Sequence, residues 1–214
     1  MLPDYIIMAL MPILMAYALI GETFHEVAGI LVFLLYVAQQ ILHAKWYRRL
    51  LRGRYTPFRI VSTIVNLLLL VFMLMLPLSG IALSDHLFAR FPLKIPVSAA
   101  RPMHLAISYW TYVLMSFRTG LFSTRLIRNA QQYFRREHGR SVYTSVITKS
   151  LGILAGLYGA FSFFSRRFPG YLFLRSQFVF YDSSEPLLFF LIDFSAIFFF
   201  FAVLGYFTAR ALRR

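Results

Sequence analysis

The sequence predicts an all-α integral membrane protein, a helical bundle with six transmembrane helices. Of its 214 residues, 59% are hydrophobic and only 14% are charged, a composition typical of membrane proteins. The apolar residues form six runs, and most of these are long enough to cross ~30 Å of hydrocarbon as a helix of about 20 residues. No linker rich in Gly, Ser or Pro divides the chain, so residues 1–214 are expected to form a single transmembrane domain.

The six predicted spans cover about residues 5–21, 25–47, 60–84, 104–127, 145–165 and 187–208. The first is the weakest because it is short and contains Pro12. It lacks the charged leader and small-residue cleavage site of a signal peptide, so it is expected to stay in the mature protein. The fifth contains three glycines, which predict a face for close packing with another helix: Gly152, Gly156 and Gly159.

Basic residues lie unevenly between the spans. Residues 45–59, residues 125–149 and the tail after Tyr206 hold fifteen Lys and Arg, whereas the other connections hold six. Positive charge near helix ends resists translocation, so both termini are expected in the cytoplasm of a multi-pass protein. The net charge of +14 makes membrane lipid with anionic headgroups the expected partner. No nucleic acid is expected, because the basic residues flank spans and form no separate basic domain.

Several chemical classes are excluded or weakened by the sequence. The chain has no cysteine, which excludes disulfides and thiolate metal sites. It shows no Ser-His-Asp pattern, paired carboxylates or phosphate-binding loop, so a hydrolytic enzyme is a poor interpretation. Metal or cofactor binding then depends on five histidines: His25, His43, His86, His104 and His138.

Two of the histidines begin predicted spans that run in the same direction. His25 opens the second span and His104 opens the fourth, so both are expected at the outer membrane boundary and at equal depth. This arrangement suits a haem iron held between two imidazoles of a helical bundle. His86, at the outer end of the third span, lies in the same layer and is the alternative ligand. Each histidine alone also fits an interfacial polar residue, and His138 fits a solvated loop.

The inner halves of the same spans carry further polar residues. His43 lies five helical turns beyond His25 on the same face, and the matching position on the fourth span is Phe122. Arg118 lies within about 40° of the His104 face. Two interpretations of Arg118 are open: it reaches the inner headgroups, or it holds an anionic group inside the bundle.

Five segments resemble, in order and spacing, a family of small bacterial six-helix membrane proteins, catalogued as a domain of unknown function and similar to di-haem b-type cytochromes. They are "HEVAGI" at 25–30, "KWYRRLLRGRYTPFR" at 45–59, "LPLSGIALS" at 76–84, "HLAISYWTYVLMSF" at 104–117 and "QFVFYDSSEPLLFFLIDF" at 177–194. The resemblance implies a four-helix cytochrome b-like core in the bacterial cytoplasmic (inner) membrane.

The resemblance also implies which ligands are kept. His25 and His104 match the family's outer haem pair. The family's inner ligand positions hold other residues here: Gln39, Gln40, Arg118 and Phe122. One haem b per chain is therefore expected near the extracytoplasmic face, beside a degenerate inner haem site.

The expected function is that of a membrane-embedded b-type cytochrome-like electron-transfer protein. Arg101 is expected to meet the haem propionates, together with Lys94 or Arg90. Asp193 either accepts the free N–H of a ligand imidazole or pairs with an outer arginine. An extracytoplasmic flavoprotein or cytochrome and a quinone are the implied redox partners. The alternative is a haem-free membrane scaffold or transport-related subunit that retains only the fold, with a polar interior around Asn66.

Overall fold

The computed structural model describes residues 2–91, 93, 95–123, 142–182 and 184–213, and all regular secondary structure within them is helical. We number nine helices of this described part in chain order. They are α1 (Leu2–Met15), α2 (Tyr17–Ile20), α3 (Glu22–Leu42), α4 (Ala44–Arg48), α5 (Pro57–Leu83), α6 (Val97–Phe122), α7 (Val142–Ser165), α8 (Phe168–Leu172) and α9 (Leu187–Leu212).

A helix lies over each of the six predicted spans. Among the described residues, three helices are long and apolar enough to cross a membrane, namely α3, α5 and α9. Helix α1 has 14 residues, which is too short to cross ~30 Å of hydrocarbon alone. Helix α6 is long but less apolar than α5 and α9. The all-helical architecture and these three helices support a membrane protein.

The second predicted span is interrupted at His43, where α3 ends and α4 begins. His43 Nδ1 lies 2.8 Å from the Gln39 carbonyl oxygen, which also accepts from the His43 backbone N–H at 3.0 Å. The Gln39 carbonyl oxygen therefore contacts both the backbone N–H and the imidazole of His43. A side-chain contact of this kind with the helix backbone favours the end of the helix at this residue. The first predicted span is also interrupted, at Ala16 between α1 and α2.

Helix α6 is the centre of the bundle. It packs most extensively against α9 on one side and α5 on the other, while α7 covers the far side of α9. Helix α3 contacts α1 and α5. The α6–α9 interface contains the fully buried Tyr112, whose hydroxyl donates to the Phe194 carbonyl oxygen at 2.6 Å. Phe168 of α8 packs against both of these rings, so the short helix closes one end of the aromatic core.

Glycines set the distance between α6 and α9. A Cβ atom at Gly120 would overlap the Ala202 carbonyl group, and a Cβ atom at Gly205 would overlap the Phe117 carbonyl oxygen. The two helices therefore approach through their backbones at this level, which only residues without side chains allow.

Of the three glycines predicted to form a packing face on α7, one makes a close contact with another helix. A Cβ atom at Gly159 would overlap the Ala196 carbonyl group of α9, whereas at Gly152 and Gly156 an added Cβ meets no atom within 4 Å. The close contact predicted from three glycines is therefore made by Gly159, and the other two are not required for packing inside the described part of the chain.

Candidate histidine-pair site

The structure brings His25 and His104 side by side. His25 lies in the first turn of α3, where its backbone N–H donates to the Gly21 carbonyl oxygen at 3.1 Å. His104 lies about two turns inside α6, because that helix begins at Val97, earlier than the predicted span. The two ring centroids are 6.2 Å apart and the ring planes are inclined at 68°.

This separation fits two imidazoles on opposite sides of one metal ion. A metal–imidazole bond is about 2 Å long and a ring nitrogen lies about 1 Å from the ring centre, so the two centroids would be roughly 6 Å apart. Within the described residues no group of three or more His, Cys, Asp or Glu could hold a metal ion. The pair itself offers two imidazoles, which can supply two ligands to one metal ion.

Ser79 of α5 contacts the Nδ1 atom of His104. Its fully buried hydroxyl oxygen lies 2.9 Å from the Leu76 carbonyl oxygen, 3.1 Å from the Met75 carbonyl oxygen and 3.0 Å from His104 Nδ1. A hydroxyl that donates its single proton to one of these carbonyls accepts from a protonated Nδ1. The lone pair of His104 then lies on Nε2, the arrangement that metal-bound histidines use. The role of Ser79 was not predicted from the sequence, although Ser79 lies within the "LPLSGIALS" segment.

His25 has a polar atom without a partner. Its Nδ1 is buried and makes no hydrogen bond with the described residues, although the Leu14 carbonyl lies close to the ring. Tyr17 packs edge-on against the imidazole at 5.2 Å between centroids. Gly29, one turn further on the same face, would accept a Cβ without meeting any atom within 4 Å. His25 Nδ1 thus has no hydrogen bond among the described residues, and the helix face one turn further along has room for an added methyl group.

His86, the alternative ligand, has another contact. Its exposed imidazole Nε2 lies 3.2 Å from Glu22 Oε2, and Glu26 Oε2 accepts from the Leu87 backbone N–H at 3.0 Å. These two contacts hold the segment after α5 against the first turns of α3. His86 is thus engaged with a carboxylate at the surface, and His138 lies outside the described residues.

Arg101 lies one turn before His104 on α6, where its side chain is exposed. It is close enough to interact electrostatically with Tyr17, which packs on His25. Arg101 is therefore at the edge of the histidine pair, in reach of an anionic group there. Lys94, its predicted companion, lies outside the described residues.

Asp193 has partners other than a histidine. Arg166 Nε donates to Asp193 Oδ2 at 2.7 Å, and the Tyr158 hydroxyl also donates to this carboxylate. Arg166 Nη1 donates in addition to Glu185 Oε2 at 2.7 Å, and this hydrogen bond, followed by those to Asp193, raises the arginine pKa above its usual value. Of the two predicted roles of Asp193, the structure has the ion pair with an arginine.

A second polar cluster lies around Arg118, at the level where an inner haem site was expected from the resemblance. Arg118 Nε donates to Asn66 Oδ1 at 2.8 Å, and its Nη1 lies 3.8 Å from Asp4 Oδ1. The Gln39 amide donates to Asp4, while the buried Gln39 Oε1 has no hydrogen-bond partner among the described residues. Arg118 therefore pairs with the half-buried Asp4 carboxylate of α1. Sequence reasoning missed Asp4, although an acidic residue in an apolar segment was the available signal.

Gln40 and Phe122 are the other two positions of the expected inner site, and neither belongs to the Arg118–Asp4 ion pair. Gln40 Oε1 accepts from the Tyr47 hydroxyl at 2.7 Å, and the Phe122 ring packs against Phe58 with centroids 6.0 Å apart. The guanidinium of Arg118 lies 5.7 Å from the Phe122 ring centre, within range of a cation–π contact.

Comparison of the chain with known protein families, with curated proteins and with solved structures finds no match. The resemblance to a six-helix cytochrome-like family therefore stays a prediction. Function has to be argued from the histidine pair and its surroundings.

Proposed function

We propose that this chain is a membrane-embedded b-type cytochrome-like electron-transfer protein that binds one haem b between His25 and His104. The observation that supports this most is the 6.2 Å separation of the two imidazole centroids, contributed by different helices. Ser79 adds to it, because its contact with Nδ1 leaves Nε2 of His104 free to ligate. When bound, haem supplies a reversible one-electron change at its iron.

The residues around the pair would have distinct roles. His25 and His104 would ligate the iron through Nε2. Ser79 would hold the His104 ring in one orientation by accepting its Nδ1–H. Arg101 would neutralise propionate charge at the exposed edge of the site, and the Leu14 carbonyl would accept from His25 Nδ1 after a small ring rotation.

The proposed setting is the bacterial inner membrane. Six spans with a four-helix cytochrome b-like core and cytoplasmic termini would put the haem near the extracytoplasmic face, where a flavoprotein or cytochrome can exchange electrons with it. The degenerate inner site leaves roughly 20 Å of helix without a second haem. Electron transfer across the whole membrane would therefore require a quinone or a partner subunit.

The experiment is a reduced-minus-oxidised optical spectrum of the purified chain and of single histidine variants. His25→Ala and His104→Ala should each abolish the low-spin spectrum, because each removes one axial ligand. His43→Ala is the matched control and should leave the spectrum unchanged. A spectrum that survives His25→Ala or His104→Ala but is lost in His86→Ala would overturn the assignment.

A second candidate function is a haem-free scaffold or transport-related subunit. The observation that favours it is the Arg118–Asp4 ion pair with Asn66 and Gln39, a polar interior of the kind that transporters carry. Folded protein without haem, produced with adequate haem supply, would favour this function over the first.

A further inference from the structure

An apolar groove lies between α3, α4 and α5. Its volume is about 370 Å³, within the range of ~300–1,000 Å³ of small-ligand sites. The lining is apolar apart from the polar groups of Tyr36, Gln40 and Tyr47, and its apolar part includes Phe33, Ala44 and Leu70. We infer that the groove binds an acyl chain of an anionic phospholipid whose phosphate contacts Arg48 and Lys45.

The length of the groove matches one leaflet of a bilayer. Along α3 and α4 the lining runs from Phe33 to Tyr47, and the helical rise over these residues is about 21 Å. One leaflet contributes about half of the ~40 Å bilayer thickness that includes the headgroup regions. Helices α3 and α5 are both long and apolar enough to span a membrane, so an acyl chain is the apolar group available to fill the groove.

Basic residues at one end of the groove favour a lipid with an anionic headgroup. No Asp or Glu occurs between residues 27 and 84, and the ion pairs of the described residues involve none of the basic residues of this segment. The uncompensated residues are Lys45, Arg48, Arg49, Arg52 and Arg54. Arg48 lies one turn after Ala44 and therefore on the same face of α4 as the groove lining. Such a cluster attracts anionic headgroups.

Arg59 keeps this basic segment folded next to the groove. Its Nη2 donates to the carbonyl oxygens of Arg49 at 2.6 Å and Arg52 at 2.7 Å, and its Nη1 donates to the Arg54 carbonyl oxygen at 3.1 Å. Because the backbone is held in this way, the neighbouring basic side chains stay at one end of the groove. The Tyr47 hydroxyl, bonded to Gln40, supplies a polar group between the apolar lining and the charges.

The test is native mass spectrometry of the purified full-length chain with added phosphatidylglycerol, with phosphatidylcholine and glycerol phosphate as comparison ligands. Phosphatidylglycerol should bind most tightly, and glycerol phosphate should not compete with it. Arg48→Gln should weaken its binding about fivefold, from the typical contribution of one basic residue. Ala44→Phe should weaken it at least as much by filling the groove. The matched control is Arg210→Gln, which removes one exposed charge at the end of α9 and should have no effect.

Three results would overturn the inference. The first is equal binding of phosphatidylcholine and phosphatidylglycerol, which would remove the headgroup contact. The second is unchanged binding in both Ala44→Phe and Arg48→Gln. The third is an equal loss in Arg48→Gln and Arg210→Gln, which would mean that general surface charge attracts the lipid. Because Arg48 is exposed, its substitution tests the site without disturbing the helix packing.

Discussion

The Ser79 hydroxyl gives His104 a defined chemical role. A buried imidazole can carry its proton on either nitrogen, and the partner of one nitrogen decides the state of the other. Ser79 Oγ lies within hydrogen-bond distance of two carbonyl oxygens of its own helix and of Nδ1, and with its proton on a carbonyl it accepts from Nδ1. The Nε2 lone pair is therefore available for a metal. Ser79 is a positioning residue, because it acts through His104.

Replacing Ser79 by Ala should loosen the His104 ring without removing a ligand. We expect the low-spin spectrum to persist, while haem dissociates about tenfold faster, as for other lost partners of metal-bound histidines. Haem transfer to an excess of an apo-globin measures this rate. Ser108→Ala is the control, because that hydroxyl donates to the Leu105 carbonyl of its own helix at 2.8 Å. Equal rates in the wild type and Ser79→Ala would contradict the role.

The Arg118–Asp4 ion pair should stabilise the docking of α1. Arg118→Gln removes the charge–charge contact with Asp4, so we expect about 2 kcal/mol lower stability, between the values of exposed and buried pairs. Asp4 is 34% exposed in its side chain, which keeps the figure below that of a fully buried pair. The Asp4→Asn, Arg118→Gln double variant should lose less than the sum of the single losses. Unfolding in mixed micelles gives all three values, and additive losses would exclude coupling.

The histidine pair and its neighbours differ in how far the sequence could predict them. His25 and His104 could be paired because each lies near the start of a long apolar helix, and two residues at the same depth are candidates for contact. The contact of Ser79 with His104 depends on how α5 rotates against α6, and a single hydrophobic pattern does not determine that rotation. The Asp4 contact likewise depends on where α1 docks.

For whole helices, the sequence predicts the approximate position, whereas breaks and close contacts follow from packing. The apolar runs located the long helices approximately, but α6 begins at Val97, before its apolar run. The interruption at His43 was not predicted, since it follows from the imidazole contact with the Gln39 carbonyl oxygen. Close contact of α6 with α9 depends on Gly120 and Gly205, and their backbone neighbours are set only by the assembled bundle.

Adding one methyl group at Gly120 should force α6 and α9 apart. Gly120→Ala would overlap the Ala202 carbonyl group, and overpacking of this kind costs typically about 1–3 kcal/mol. Gly152→Ala is the matched control, because its added Cβ meets no atom within 4 Å. Thermal unfolding in detergent should show a lower midpoint for Gly120→Ala and an unchanged or higher one for Gly152→Ala. The opposite ranking would mean that the helices are not in backbone contact.

For the molecule as a whole, the asymmetry of basic charge predicts orientation. Fifteen Lys and Arg lie in one set of connections and six in the other, which predicts that the fifteen face the cytoplasm. The histidine pair and the basic end of the α3–α4–α5 groove then lie near opposite membrane surfaces. This separation would keep electron exchange and lipid anchoring at different faces.

Single cysteines can report this orientation, because the chain has none of its own. In intact cells, a membrane-impermeant thiol reagent should label Gln177→Cys and leave Arg52→Cys unlabelled. Both positions are exposed, and labelling after membrane disruption controls for reactivity. Labelling of Arg52→Cys alone would invert the topology and move the histidine pair to the cytoplasmic face.

The number of haems per chain tests the central proposal most directly. Purified protein, expressed with added haem precursor, should contain one haem b by the pyridine haemochrome method, normalised to protein by amino-acid analysis. The His25→Ala, His104→Ala double variant should contain none. One haem is expected because a single pair of imidazoles lies at ligating separation among the described residues, while Gln39 and Arg118 occupy the inner positions. A value of two, or a value near zero in folded protein, would contradict the account.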